Sequence, residues 1–158
     1  MTPFNENLGT AMRHLSDKGA FLTVSDGERT NTMTIAWGYV GFMWGVPCFM
    51  TMVRPQRYTR EIIDKADSFT VSVPFGTLLD ELETCGTKTG KRIDKSKVVN
   101  FKSAKSVVSP IVAGCDYHLE CKIIYRDVLH GEGIPPNFAQ LYQDDFHKLY
   151  YGEIVKAY

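Results

Sequence analysis

Residues 20–37 constrain the fold more than any other stretch of the chain. Ala20 to Ser25 reads as a strand, Asp26-Gly27 is a strong hairpin turn, and Asn31 to Trp37 reads as the returning partner strand. In that second run Met33, Ile35 and Trp37 fall on one face, while Thr32, Thr34 and Ala36 fall on the other. This is the period of two expected of a half-buried strand. Similar runs recur at Cys48–Val53, entered through Pro47, at Phe69–Val73, which stops at Pro74, and at Tyr117–Arg126 and Leu149–Tyr158. The helical signals are short. Asn5 to Leu15 places Leu8, Met12 and Leu15 at helical spacing, and a second helix begins at Thr59 as N-cap, with Glu61 in its first turn. Thr77-Leu78-Leu79-Asp80 resembles a capping box ahead of a stripe of Leu78, Leu79, Leu82 and Cys85, with Gly86 at C′. Gly86 to Asp94 reads as a loop, and Pro135-Pro136-Asn137 marks an irregular connection. Many strands with few, short helices imply a mainly β fold, an antiparallel barrel with α decoration.

Composition narrows the function. The 158 residues suit one domain, residues 1–158, and carry 18 basic against 18 acidic side chains. Nucleic-acid binding relies on phosphate contacts and a basic excess, and none is present. No run approaches the roughly 18 apolar residues of a membrane span, and Met1–Glu6 lacks a basic flank with an apolar core. The expectation is a cytoplasmic protein. Cys48, Cys85, Cys115 and Cys121 form no Cys-x-x-Cys pair, so no metal site is expected. Cys85 reads as a helix-end packing residue, because the negative end of a helix does not lower a thiol's pKa.

Two segments carry candidate chemistry. In Arg54-Pro55-Gln56-Arg57-Tyr58-Thr59, two guanidinium groups leave a strand just before a helix start, components suited to a phosphate monoester. The alternative is a solvated basic turn with a helix cap. In Asn31-Thr32-Met33-Thr34-Ile35-Ala36-Trp37-Gly38, small and hydroxyl side chains alternate, so a flat ring could lie against the backbone. The alternative here is an ordinary half-buried strand.

These two segments, together with Phe69–Val73, Cys85-Gly86-Thr87-Lys88-Thr89-Gly90, Asp94-Lys95 and Phe146–Val155, occur in an order that resembles the flavin reductase-like, flavoredoxin-type FMN-binding family. The resemblance runs from about residue 20 to the C-terminus. It implies a split β-barrel, a homodimer with FMN in a groove near the interface, and NAD(P)H as electron donor. By position, Asn31, Thr32 and Met33 belong to the cofactor strand, and Thr34, Ile35, Ala36 and Trp37 would line the isoalloxazine with backbone groups. Arg54, Arg57 and Thr59 would hold the phosphate, with Tyr58 alongside. Cys85, Gly86, Thr87, Lys88, Thr89 and Gly90 would close over the ring or ribityl chain. His147 would stand at the flavin's reactive face as the catalytic residue, orienting the nicotinamide or exchanging a proton at a pKa near neutrality. Arg57 departs from the small hydroxyl residue of many flavin reductases and matches the flavoredoxin branch, which implies tightly held FMN. The alternative within the family is an FMN electron carrier reduced by a protein partner. A non-redox FMN-binding module is a third reading. Phe42, Met43 and Trp44, read as an exposed loop, are the expected dimer contact.

Overall fold

The computed structural model describes residues 7–158. The expected helix start at Asn5 and the character of Met1–Glu6 lie outside the described residues. Helix α1, Leu8–Asp17, buries Ala11 and Leu15 and rests Leu8 and Met12 on the core. The strands follow as β1 (Ala20–Ser25), β2 (Thr30–Ile35), β3 (Gly38–Met43) and β4 (Val46–Val53). Helix α2 (Tyr58–Ile63), β5 (Ser68–Val73) and helix α3 (Leu79–Thr87) come next. The short pair β6 (Phe101–Lys102) and β7 (Ile111–Val112) precedes β8 (Tyr117–Val128), the one-turn α4 (Pro136–Ala139) and β9 (Lys148–Ala157).

Seven strands form one antiparallel sheet in the order β2-β1-β5-β8-β9-β4-β3. The two edge strands, β2 and β3, are consecutive in sequence and separated by only Ala36 and Trp37. Three Cα–Cα steps span at most about 11 Å. In a flat sheet, six inter-strand spacings would hold the edges roughly 29 Å apart. The sheet must therefore curl until its edges nearly meet. No ladder joins β2 to β3 among the described residues, so the cylinder stays split along that seam.

The concave side of the curl is filled by Leu22, Val24, Phe49, Phe69, Val71, Leu119, Tyr150 and Ile154. Phe49 and Phe69 meet edge to face, their centroids 6.3 Å apart. Two glycines make room for these rings. A Cβ on Gly38 would lie 2.6 Å from Phe49 Cζ, and one on Gly152 would lie 2.7 Å from both Phe69 Cζ and Cys121 Cβ.

Several local expectations need correction. Phe42 and Met43, expected in an exposed loop with Trp44, instead end strand β3, and a two-residue turn at Trp44 (φ 54°) and Gly45 (φ 79°) returns the chain into β4. Both turn residues have positive φ, as a type I′ hairpin demands, but tryptophan is an unusual occupant and hides the signal. Phe42 and Trp44 are nonetheless exposed. Strand β2 stops at Ile35, not Trp37, because the chain must leave the sheet there to cross the seam. Helix α2 starts at Tyr58 with Arg57 in the N-cap position, and the Thr59 hydroxyl turns inward to accept from Asn31 Nδ2 at 2.9 Å. The capping box at Thr77 does not form. Leu78 takes the N-cap position at φ 54° with no side-chain cap, Leu79 is exposed, and Gly86 lies within the last turn of α3, one residue before its end.

The packing at Gly152 gives a direct test of the curl. Gly152→Ala should lower stability by about 1–3 kcal/mol, since neither Cys121 Cβ nor the Phe69 ring can withdraw. A urea-unfolding midpoint equal to that of the parent protein would show that the strands are not pressed together there.

Candidate functional site

Beside the β2 edge lies a pocket of about 400 Å³. Asn31 and Met33 of β2 form its floor, and Gln56, Arg57, Tyr58 and Thr59 form one wall. Thr87, Lys88, Thr89, Gly90, Arg92, Ile93 and Lys95 form the other. The wall residues arrive by tight turns. Arg57 N–H bonds the Arg54 carbonyl at 3.1 Å, and Arg92 N–H bonds that of Thr89 at 3.0 Å. Gly90 presses against the floor so closely that a Cβ would overlap Asn31 Oδ1 and approach Tyr58 Cδ1 to 2.8 Å. Only glycine lets this loop close down on β2.

Among the described residues, the pocket wall carries four cationic side chains, Arg57, Lys88, Arg92 and Lys95, and no carboxylate. The chain as a whole is neutral, so this is a local concentration of positive charge. Arg57 Nη1 donates to the Gly86 carbonyl at 2.9 Å, and burial draws its pKa down. Lys95 is 5% exposed, and its ammonium donates to the Thr32 carbonyl at 2.7 Å and the Cys85 carbonyl at 3.0 Å. Its pKa is pushed down to about 8, by burial first, with Cys85 opposing and Arg57 adding to the fall. Two neutral carbonyls leave most of that charge unbalanced, so an anion in the pocket would find it ready.

Sequence reasoning missed Gln56, Arg92, Ile93 and Lys95. For Lys95 a signal existed. Asp94 Oδ1 accepts from Ser96 N–H and Ser96 Oγ, an Asx turn that starts the 3₁₀ turn carrying Lys95 inward. Of the residues singled out in the sequence, the fold brings Asn31, Met33, Arg57, Tyr58, Thr59, Thr87, Lys88, Thr89 and Gly90 to this pocket. Thr32, Thr34, Ile35, Cys85 and Gly86 stand behind it. Thr32 Oγ1 bonds within β1–β2, Thr34 Oγ1 donates to the Leu82 carbonyl at 2.5 Å, and Ile35 is core. Cys85 is fully buried, and burial raises its thiol pKa. Gly86 packs on Thr34, where a Cβ would lie 3.2 Å from Thr34 Cβ. The backbone of β2 adds to the surface. The Thr32 carbonyl faces Lys95, away from β1, and alternate residues of an antiparallel strand turn their backbone groups the same way, which sets Thr34 outward too.

Arg54 does not join Arg57. Its Nη1 pairs with Asp145 at 2.9 Å, its Nη2 donates to the Leu141 carbonyl, and its guanidinium covers the Tyr142 ring at 4.8 Å. Gln143 N–H and the Gln56 amide, helped by Arg54, hold Asp145 at a pKa of about 2. His147 belongs to this second cluster. It is buried just before β9, Nδ1 lies 2.7 Å from Tyr142 Oη, and the ring is tilted against Trp37 at 5.5 Å. Its pKa is not near neutrality but about 4, lowered by burial first and Arg54 second, against a smaller pull from Asp145. The imidazole is therefore neutral at pH 7 and supports Trp37 and Tyr142 from behind. Those two side chains, with Ala36, line a second, apolar cavity of about 770 Å³.

Among the described residues no group of three or more His, Cys, Asp or Glu could hold a metal ion, and no helix is long and apolar enough to cross a membrane. The family model of the flavin reductase like domain matches residues 12–158. An uncharacterized protein of Archaeoglobus fulgidus is 26% identical over 146 residues, covering 91% of this chain and 73% of that one. Flavoredoxin from Methanosarcina acetivorans superposes with a TM-score of 0.71 at 23% identity, over 89% of this chain and 67% of its own. The NADH:FAD oxidoreductase of Streptomyces globisporus C-1027 superposes with a TM-score of 0.68 at 18% identity, over 98% and 84%. At these identities the two structures establish a shared fold, and the match over residues 12–158 carries the classification: the chain belongs to the flavin reductase like domain family.

Proposed function

We propose that the cationic pocket holds the phosphate of FMN and that the protein is a redox flavoprotein taking electrons from NAD(P)H. The observation that carries this reading is the set of four cations, with no carboxylate among the described residues of the pocket, set against the outward backbone edge of β2. The donor set suits a phosphate monoester. Arg57 offers a planar fork, Lys95 a buried ammonium, and Lys88 and Arg92 further charge at the mouth. Gly90 keeps the loop low over Asn31, and Asn31 in turn orients Thr59. From there β2 leads toward Ala36 and Trp37, where the outward N–H and C=O of Thr34 would meet the polar edge of the ring. When bound, FMN supplies the hydride-accepting and electron-releasing chemistry. The protein's own part is to bind, orient and screen. His147 acts as a positioning residue, fixing Trp37 and Tyr142 without changing charge. The exposed β3–β4 hairpin, with Phe42 and Trp44, is the surface for a second copy. A second reading, an FMN carrier reduced by a protein partner, draws on that same exposed aromatic hairpin.

FMN should bind at least about tenfold more tightly than riboflavin in a flavin-fluorescence titration, with Arg57→Ala weakening FMN by about one to two decades. A charge-assisted hydrogen bond contributes about 1.5–3 kcal/mol, and each decade is about 1.4 kcal/mol. The affinity should also fall as pH rises from about 7 to about 9. Lys95, with its pKa near 8, is charged at the lower value and largely neutral at the higher. Lys95→Met should remove that slope. Equal affinities for FMN and riboflavin would contradict the phosphate assignment.

Anaerobic titration with NADH and with NADPH distinguishes the donors. Bleaching by either supports the first reading, and bleaching only by dithionite or a reductase protein supports the second. In stopped flow, His147→Ala should slow reduction per bound flavin by about 10²-fold, the scale of a misplaced reactant. The parent rate should show no inflection from His147 between about pH 5.5 and 8. An inflection near 6.5 that vanishes in His147→Ala would mean the imidazole titrates at its ordinary value.

A further inference from the structure

We propose that Glu61 is a positioning residue whose ion pair with Lys91 latches residues 88–94 against the cationic pocket, and that opening of this latch sets how fast a phosphate-bearing ligand leaves. The effect on ligand release rests on the phosphate assignment made above, and the latch itself does not. Thr89, Gly90, Arg92 and Ile93 line the pocket, yet the backbone bonds of this loop turn inward on themselves. The N–H groups of Lys91, Arg92 and Ile93 all return to Thr89, and the Asp94 carboxylate is taken by Ser96. Among the described residues, the Lys91–Glu61 pair is the one ion pair or hydrogen bond from residues 89–93 to α2 or to the sheet. Gly90 meets Asn31 and Tyr58 by packing alone, and Lys91 Nζ lies 5.7 Å from the Tyr58 ring centroid, near the outer limit of a cation–π contact. The four cations of the wall repel Lys91, so without a carboxylate the loop is driven away from the pocket.

Glu61 is itself held from behind. Arg29 donates to Asp26 Oδ2 from Nε at 3.1 Å and from Nη2 at 2.9 Å, and its N–H bonds Asp26 Oδ1 at 2.8 Å. The guanidinium is thereby fixed at the β1–β2 turn. From there Nη2 donates to the Glu61 carbonyl at 3.3 Å, and Nη1 lies 3.8 Å from Glu61 Oε2. Glu61 Oε1 is left to receive Lys91. The row Asp26–Arg29–Glu61–Lys91 thus joins the three segments around the pocket: the β1–β2 hairpin, α2 and the loop. A carboxylate positioned in advance needs less ordering when the lysine docks, which favours closure. The Lys91 and Glu61 side chains are 57% and 46% exposed, so dissolved salt screens them from one another. An exposed pair shifts an equilibrium by up to about fivefold. That is too little to hold a fold together, but it is enough to change how often a short loop opens.

Two measurements test this. Hydrogen–deuterium exchange of residues 88–94 is followed in the ligand-free protein at about 0.01 M and about 1 M sodium chloride, where the screening length is about 30 Å and about 3 Å. Release of FMN at the lower salt is followed as recovery of flavin fluorescence on rapid dilution. In the parent protein, exchange over residues 88–94 should quicken by about two- to fivefold at high salt. Glu61→Gln should reach that faster exchange at low salt already, and should release FMN faster by a similar factor. Lys91→Arg keeps the charge and should keep the slow rates. Glu61→Gln added to Lys91→Met should cause no further acceleration, because both changes break the same contact. A general loosening of α2 would instead add to the effect of Lys91→Met. Low-salt exchange in Glu61→Gln equal to that of the parent, additive effects in the double variant, or faster exchange with unchanged FMN release would overturn the proposal. A parent protein that binds no FMN would contradict the phosphate assignment, and the exchange rates would then decide the latch by themselves.

Discussion

The two-residue link from Ile35 to Gly38 governs the architecture of this protein. It ties together strands at opposite edges of a seven-stranded antiparallel sheet, so the sheet can satisfy its ladder only by curling back on itself. The curl creates the concave core around Phe49 and Phe69 and requires glycine at 38 and 152, where backbone and rings meet. It also leaves one seam unsealed. Strand β2 contributes Asn31 and Met33 to the cationic pocket, and the link itself contributes Ala36 and Trp37 to the apolar cavity. A charged recess and an apolar one are thus set along one unpaired strand edge, an arrangement suited to a ligand with a charged tail and a flat head.

Lys95 shows what the charged recess costs the fold. Moving its pKa from 10.5 to about 8 corresponds to about 3 kcal/mol against the charged form in the folded chain. The sign follows from proton binding. The unfolded chain holds more protons between pH 8 and 10.5, so this contribution opposes folding below pH 8 and is relieved as pH rises through that window. An anion in the pocket relieves it at neutral pH instead, which couples occupancy to stability. His147 behaves in the opposite pH range. Its neutral form is favoured by burial, so its contribution is full above pH 6.5 and is lost as pH falls toward about 4.

Much of the fold was legible in the alternation of side chains. The β1–β2 hairpin and strands β4, β5, β8 and β9 all lie where period-two runs and turn residues placed them, within a few residues. Strand β3 was not, because its hairpin turns through Trp44-Gly45, and no propensity rule puts tryptophan at positive φ. The site was partly legible. Arg54 and Arg57 look equivalent in sequence, three residues apart at one turn. Only Asp145, ninety-one residues from Arg54, tells them apart, by taking Arg54 into the second cluster. Lys95 follows an Asx turn at Asp94 that the sequence does signal, but the carbonyls of Thr32 and Cys85 that receive its ammonium are distant in sequence and give it its role. Thr59 read as a cap because a local cap is the commonest use of that residue type, and its tertiary partner Asn31 overrode the rule.

The central claim is that one flavin nucleotide spans the seam, with its phosphate among Arg57 and Lys95 and its ring at the Ala36–Trp37 link. Hydrogen–deuterium exchange followed by peptide mass spectrometry reads both ends at once. The account predicts that FMN slows exchange in residues 87–92 and also in residues 33–38, whereas inorganic phosphate at saturating concentration slows only the former. Protection of residues 33–38 by FMN no greater than that given by phosphate would contradict it.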